Sequence, residues 1–179
     1  MTTSRTSGRT STSTRSCSRS AELARVLGLD PGSRTTGWGL VEGDRRQARA
    51  VGYGCLSPRR DSSRASALAA LAAQLQELLD RLTPDVVVVE TPFAGRFPKA
   101  ALVLAETRGA LLAVLGRWGG EVVEIEPARV KAAVVGNGRA EKRQVAYVVR
   151  HTFGLDREPP ADAADALALA LCQIRGALP

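Results

Sequence analysis

The sequence has few of the residues on which disulfide frameworks and most transition-metal sites depend. It contains three cysteines, Cys17, Cys55 and Cys172, with neither a CxxC nor a Cys/His spacing, so we expect no disulfide framework and no zinc site. Scattered cysteines of this kind favour a reducing compartment, and we expect a cytoplasmic protein. The single histidine, His151, excludes a histidine metal cluster and is expected on the surface at a helix end.

Long apolar runs are also absent, and none approaches the roughly 18 residues that a membrane-spanning helix requires. We therefore expect no membrane partner. A chain of 179 residues fits a single domain, whose core is large enough to fold without disulfides or a structural metal.

Basic charge is concentrated at the amino terminus. The first 20 residues contain seven Ser, six Thr and four Arg, and they have no acidic residue and no aliphatic residue after Met1. Such a segment buries too little apolar surface to offset its ordering entropy, so residues 1–23 are expected to form a disordered leader. We interpret it as a non-functional extension or the product of a misplaced start codon, with loose phosphate contact as the alternative.

The remaining chain is only mildly basic. Without the four leader arginines, the formal net charge falls from +7 to +3. Nucleic acid is therefore a reasonable partner, and a basic surface that merely keeps the protein in solution is the alternative.

Residues 24–176 alternate between strand and helix patterns and are expected to form the one folded domain. A run of four valines in the segment 85–91 predicts a strand covered on both faces, as in the middle of an α/β sheet. Gly43-Asp44 is a turn, so the first three strands are expected to form an antiparallel meander. The pattern predicts a mixed five-stranded sheet with packed helices. The predicted strands are 25–30, 35–42, 48–56, 85–91 and 121–126, and the predicted helices are 62–82, 98–118, a short one from Pro127, 141–152 and 161–175.

Four carboxylates are candidates for one site. Asp30 and Glu90 end two strands that, if parallel neighbours, present both side chains at the same edge of the sheet. Asp162 and Asp165 are three residues apart and share one face of the last helix. Each acid also has a structural alternative: a turn residue for Asp30, a solvated strand end for Glu90, and helix capping or dipole effects for the other two.

A cluster of these carboxylates requires cations. Two carboxylates ~4 Å apart repel by about 4 kcal/mol at an effective dielectric constant near 20. Oxygen ligands without His or Cys favour Mg²⁺ or Mn²⁺. Two such ions promote in-line displacement at phosphorus, so the expected reaction is phosphodiester hydrolysis.

Six segments of the chain together form a recognisable pattern. They are residues 26–39 (VLGLDPGSRTTGWG), 88–90 (VVE), 105–109 (AETRG), 130–136 (VKAAVVG), 140–145 (AEKRQV) and 161–168 (ADAADALA). In this order they resemble the RuvC family of Holliday junction resolvases, and the similarity extends from about Arg25 to Ile174. The first and last segments, at this separation, are the most specific.

This resemblance implies an RNase H-like fold with helices on both faces of the sheet, and a metal-dependent endonuclease. Such an enzyme resolves four-way DNA junctions by paired symmetric nicks, leaving 5'-phosphate and 3'-hydroxyl ends, in recombination and repair. Two divalent cations, Mg²⁺ or Mn²⁺, and the RuvA–RuvB branch-migration complex as partner are also implied. The family's catalytic, metal-binding acids correspond to Asp30, Glu90, Asp162 and Asp165.

The resemblance further implies DNA contacts by Lys131 and Lys142 and a stacking wedge at Phe93, with Arg96 beside it. Phe93 as an anchor within its own domain is the alternative. Phe97 stands where the family commonly has asparagine, which leaves Phe93 and Phe97 as alternative wedges.

The helix 98–118 resembles the family's homodimer helix. Its stripe of small and apolar residues alternatively covers the sheet. These residues are Ala101, Leu102, Ala105, Gly109, Leu112 and Gly116.

Three other functions are compatible with parts of the pattern. Asp30 and the glycine-rich turn after it also resemble the first phosphate loop of sugar kinases and actin-like ATPases, but the chain is too short for their second lobe. A junction-binding module without catalysis is expected to lack one or more of the four acids, and all are present. A YqgF-type RNase H-like nuclease acting on other nucleic acids is the nearest alternative.

Overall fold

The computed structural model describes residues 23–58, 63–91 and 98–176. The predicted leader over residues 1–23 lies almost entirely outside this range and stays a prediction. Every predicted strand and helix is present, with ends within about two residues of those expected. In chain order the elements are β1 (Ala24–Pro31), β2 (Thr36–Gly43), β3 (Ala48–Leu56), α1 (Arg64–Leu82), β4 (Val86–Glu90), α2 (Pro98–Trp118), β5 (Glu121–Ile125), α3 (Pro127–Val135), α4 (Lys142–Thr152) and α5 (Ala161–Ile174).

The five strands form one mixed sheet in the order β3-β2-β1-β4-β5. β1, β2 and β3 are antiparallel neighbours, as predicted, and β4 is parallel to both β1 and β5. Val87, Val88 and Val89 are buried because β4 lies between two strands and beneath helices on both faces. The carboxyl ends of β1, β4 and β5 consequently lie at one edge of the sheet.

Helices cover both faces of the sheet, as expected. The core on one face joins buried residues of α3, α4 and α5 to β1, β2 and β4, and the core on the other face joins α1 and α2 to the same strands. Two layers of helix on a mixed sheet bury both surfaces of the central strands. No helix among the described residues is both long enough and apolar enough to cross a membrane.

Helix α5 rests with its backbone directly on β1 and β2. A Cβ atom at Gly28 would lie 1.9 Å from the carbonyl oxygen of Ala166, and one at Gly37 would lie 2.0 Å from that of Asp162. Only a residue without a side chain permits such an approach. These glycines therefore set the depth at which α5, with its two acids, sits against the sheet.

Helix α2 buries one face and exposes the small-residue stripe. Leu111, Val114 and Leu115 are buried against the sheet, whereas Leu102 is 63% exposed. The other stripe residues are exposed or half-buried. The alternative in which this stripe covers the sheet is therefore wrong for its exposed members, because the buried residues of α2 lie on the opposite face. Leu112, which is half-buried, does pack against the core.

Candidate active site at the carboxyl edge of the sheet

The sheet brings the two strand-end acids together. Leu29 pairs with Val89 in the parallel β1–β4 ladder, so Asp30 and Glu90 follow the same rung. Their carboxyl groups lie close enough for Glu90 to raise the pKa of Asp30, and both residues are half-buried. The assumption that these strands are parallel neighbours is confirmed, and it accounts for the pairing of two acids 60 positions apart.

The first turns of α5 add the other two acids. Asp165 lies near enough to Asp30 for its charge to raise the pKa of that carboxyl. Asp162 accepts a hydrogen bond from the hydroxyl of Thr35, in the turn between β1 and β2. The charges of Asp162 and Asp30 both contribute to a raised pKa of the Cys55 thiol, after burial as the main cause, so both carboxylates lie near that thiol.

Asp30 is the electrostatic centre of this cluster. Its pKa is raised from 3.8 to about 8, first by burial, then by the charge and hydrogen bond of Glu90, and then by the charge of Asp165. The charge of Lys142 acts in the opposite direction. The cluster therefore holds more negative charge than its protein surroundings balance, and it favours a proton or a cation.

Lys142 supplies the nearest positive charge. Its Nζ donates to Oδ2 of Asp165 at 2.6 Å, and this bond is the first cause of the raised pKa of Lys142. Helix α4 begins at Lys142, where the side chain of Gln144 accepts the backbone N–H of Glu141 and so caps the helix. Lys131, on α3, lines a cavity together with Lys142, Glu90 and Asp165.

The donor set suits hard divalent cations in its chemistry. It consists of half-buried carboxylate oxygens carrying an uncompensated charge, which favours Mg²⁺ or Mn²⁺ over Zn²⁺. As the side chains stand, no three His, Cys, Asp or Glu residues within 23–58, 63–91 and 98–176 surround one ion position. Lys142 holds Asp165 and Thr35 holds Asp162, so an ion requires these two contacts to be released or shared.

The structure thus places Asp30, Glu90 and Asp165 in mutual electrostatic contact, with Asp162 on the same helix end and Lys131 and Lys142 beside them. Phe93 and Arg96, together with Phe97, lie outside the described residues, so their predicted DNA contacts stay predictions. His151 is exposed in the last turn of α4, as expected.

Sequence reasoning missed three groups of residues that build the site. Gly28 and Gly37, on which α5 rests, stand within segments predicted as strands, but their role depends on which helix packs there. The thiol of Cys55 lies close enough to the backbone of Ala163, in the first turn of α5, for that backbone to lower its pKa, and this proximity joins distant segments. Arg108 lies in a segment that matches the family, yet nothing in the sequence indicated that its side chain turns inward to the β4 carbonyl.

This sheet order, with carboxylates at the ends of adjacent parallel strands and on the helix packed over them, defines the class of RNase H-like nucleases. The family model described as crossover junction endodeoxyribonuclease RuvC matches residues 26–173, and the chain belongs to this family. Membership of the RuvC family excludes the two other enzyme classes considered from the sequence, the sugar kinases with the actin-like ATPases and the YqgF-type nucleases.

Known RuvC proteins are similar to this chain in sequence and in structure. A crossover junction endodeoxyribonuclease RuvC of Alkalilimnicola ehrlichii is 43% identical over 159 residues, which cover 87% of this chain and 93% of the relative. The structure of Thermus thermophilus RuvC is 33% identical, with a TM-score of 0.76 over 86% of this chain and 95% of that one. The same protein in complex with a Holliday junction substrate is 32% identical, with a TM-score of 0.77 over 83% and 92% of the two chains. The predicted RNase H-like fold is confirmed.

Proposed function

We propose that this protein resolves Holliday junctions by paired symmetric nicks in homologous recombination and DNA repair, leaving 5'-phosphate and 3'-hydroxyl ends. The observation that carries the proposal is the pairing of Asp30 with Glu90 at the sheet edge, facing the acids of α5, in a chain of this family. The retained acids weigh against a junction-binding module without catalysis.

The four acids Asp30, Glu90, Asp162 and Asp165 would hold the metal ions. Two divalent cations, when bound, activate the attacking water and stabilise the leaving oxygen. The chain's own part is to position the ligands: the β1–β4 ladder fixes two carboxylates, and the depth of α5 fixes the other two. Half-burial of these side chains strengthens their interaction with a cation.

Synthetic four-way junctions and linear duplexes of the same sequence test the substrate. With Mg²⁺ or Mn²⁺ we expect paired nicks at the junction, products that a ligase reseals, and no cleavage of linear duplexes. Omitting the metal should abolish cleavage. Equal cleavage of both substrates would contradict junction specificity.

The two lysines are proposed to bind DNA phosphates beside the acids. Lys131 lines the cavity that contains Glu90 and Asp165, and the side chain of Lys142, whose ammonium group pairs with Asp165, is 76% exposed. A DNA backbone that enters the site therefore passes close to both lysines. Phe93 and Arg96 are proposed as further DNA contacts from the family resemblance alone.

Lys131→Ala should weaken junction binding and reduce the slope of log K against log salt by about one, because one phosphate contact is lost. A salt series by fluorescence anisotropy in Ca²⁺ measures this slope. Arg46→Ala is the matched control, since Arg46 lies in the β2–β3 turn at the opposite edge of the sheet. Wild-type affinity for Lys131→Ala at every salt concentration would remove Lys131 from the DNA contacts.

We also propose that the protein is a homodimer joined through the exposed stripe of α2. Gly109 and Gly116 lie within this helix, where glycine costs about 1 kcal/mol relative to alanine. A Cβ atom at either position would meet nothing within 4 Å, so the domain itself does not require glycine there. Close approach of a second α2 helix explains both residues.

Gly109→Arg should convert the dimer to a monomer, because the new side chain has space in its own domain but fills the space of the partner helix. Light scattering coupled to gel filtration measures the mass, and gel analysis of junction cleavage should show that nicks lose their pairing. Ala73→Arg adds the same charge to the exposed face of α1 and should leave the dimer intact. A dimeric Gly109→Arg protein would contradict this interface.

The family resemblance supports the RuvA–RuvB branch-migration complex as partner. The DNA substrate, together with the free thiols of Cys55 and Cys172 in the described part of the chain, supports a cytoplasmic location. Residues 24–176 are proposed as the nuclease domain.

A further inference from the structure

Arg108 is a buried cation close to the acid cluster. It lies on α2, one residue before the exposed Gly109, yet its side chain points inward and is only 9% exposed. Removing a guanidinium from water costs several kcal/mol unless its donors are paired. Its position therefore requires specific partners.

Both terminal nitrogens of Arg108 have partners on the strands that end at the site. Nη1 donates to the backbone carbonyl of Glu90 at 3.0 Å, and Nη2 donates to the carboxylate of Glu124 on β5. Glu124 pairs with Val89 in the β4–β5 ladder, so the two acceptors lie on adjacent strands. One guanidinium thus joins α2 to the carboxyl ends of β4 and β5.

Arg108 binds the backbone carbonyl of Glu90, and the side chain of Glu90 is a proposed metal ligand. β4 ends at Glu90, and the N–H of the next residue, Thr91, donates to the carbonyl of Ile125 at 2.8 Å. Arg108 also lines a cavity of about 220 Å³ together with Asp30 and Glu90. Its guanidinium therefore fixes the Glu90 peptide at the point where the strand ends.

We propose that Arg108 is a positioning residue for Glu90: its bond to the Glu90 carbonyl, braced by Glu124, orients the Glu90 carboxylate for metal binding. This inference rests on the nuclease function proposed above. It assigns Arg108 no contact with DNA or with the reacting phosphate, because its side chain is only 9% exposed and is directed at β4 and β5.

Arg108→Lys tests the proposal, since lysine keeps the charge but lacks the planar fork that reaches both acceptors. Residues that orient metal ligands typically contribute 10–100-fold to affinity or activity. We expect the Mg²⁺ concentration for half-maximal nicking to rise by about tenfold and kcat to fall about 10–100-fold. Junction Kd measured in Ca²⁺ should stay within about twofold of wild type, since DNA contacts are unchanged. Glu124→Gln should shift the Mg²⁺ requirement in the same direction by a smaller factor.

Direct metal binding supplies a readout independent of cleavage. Free Mn²⁺ is followed by electron paramagnetic resonance on the DNA-free protein, and Arg108→Lys should bind Mn²⁺ about tenfold more weakly. Arg64→Lys is the matched control. Arg64 pairs with Glu106 and with the carbonyl of Val103, joining α1 to α2 without contact to β4. It should change thermal stability at most and leave Mn²⁺ affinity unchanged.

The outcomes separate this inference from the nuclease proposal. Wild-type protein that fails to nick junctions refutes the nuclease function. If the wild type nicks junctions and both Arg108→Lys and Glu124→Gln keep the wild-type Mn²⁺ affinity and Mg²⁺ requirement, the positioning role is refuted. This holds whatever the change in the melting temperature of the two variants. Gel filtration verifies that both variants keep the oligomeric state of wild type.

Discussion

Asp30→Asn abolishes junction cleavage while leaving junction binding within about twofold of wild type: this is the largest effect that we expect. Asp30 is the central acid of the cluster, in contact with Glu90 and within electrostatic range of Asp165. Asparagine keeps the shape but removes the charge that attracts a divalent cation. Losing several kcal/mol of transition-state stabilisation corresponds to about 10³-fold or more in rate. Single-turnover cleavage in Mg²⁺ and anisotropy in Ca²⁺ measure the two quantities.

Asp80→Asn is the matched control, because it makes the same substitution on the exposed surface of α1. It should cleave at the wild-type rate. Residual nicking by Asp30→Asn in Mg²⁺ at more than a few per cent of the wild-type rate would show that Asp30 is not a required metal ligand. Glu90→Gln is expected to behave like Asp30→Asn, since Glu90 is the neighbouring acid that raises the pKa of Asp30 most strongly.

Asp30→Asn should stabilise the metal-free protein at alkaline pH. Because folding raises the pKa of Asp30 from 3.8 to about 8, the folded state loses stability as pH rises through this interval, and asparagine does not titrate. In metal-free buffer we expect Asp30→Asn to melt above wild type at pH 8.5, with the difference closing toward pH 4. Adding Mg²⁺ should raise the melting temperature of wild type and not that of the variant. Equal melting curves for wild type and Asp30→Asn across this pH range would contradict the interpretation that burial and neighbouring acids raise the pKa of Asp30.

Gly28→Ala should destabilise the fold by about 3 kcal/mol, because the added methyl group meets backbone atoms, and these cannot move aside as a flexible side chain can. The added Cβ atom would lie 1.9 Å from the carbonyl oxygen of Ala166, and α5 has to lift away from the sheet. For a domain of this size the melting temperature should fall by roughly 6–12 °C. Cleavage should fall as well, since α5 carries Asp162 and Asp165. Differential scanning calorimetry and the junction assay measure both effects.

Gly52→Ala provides the comparison within the same sheet. A Cβ atom there would lie 3.5 Å from the Trp38 ring, an ordinary contact distance, so stability should change by less than about 0.5 kcal/mol. A melting temperature for Gly28→Ala equal to that of Gly52→Ala would contradict the close packing of α5 on β1.

The order and type of the elements could be predicted from local patterns. The four consecutive valines of β4 indicated a covered central strand, and Gly43-Asp44 indicated the β2–β3 turn, because both depend on neighbouring residues alone. The acids could be nominated for a related reason: strand-end and helix-start positions are local, and the parallel pairing of β1 with β4 then brings Asp30 to Glu90. The stripe on α2 was assigned to a dimer by the family resemblance and not by its spacing. Only the structure showed that most of the stripe is exposed and that the opposite face of α2 covers the sheet.

By itself, the sequence determined which residues are available for chemistry: four acids at strand ends and a helix start, two lysines, and neither a histidine cluster nor a cysteine pair to compete with them. Only the tertiary structure decided how those groups interact. The depth of α5 over Gly28 and Gly37, the ion pair of Lys142 with Asp165, and the inward turn of Arg108 to the Glu90 carbonyl each join residues 18 to 138 positions apart. Contacts of this kind are set by the packing of helices on the sheet, where distance in space is unrelated to distance along the chain.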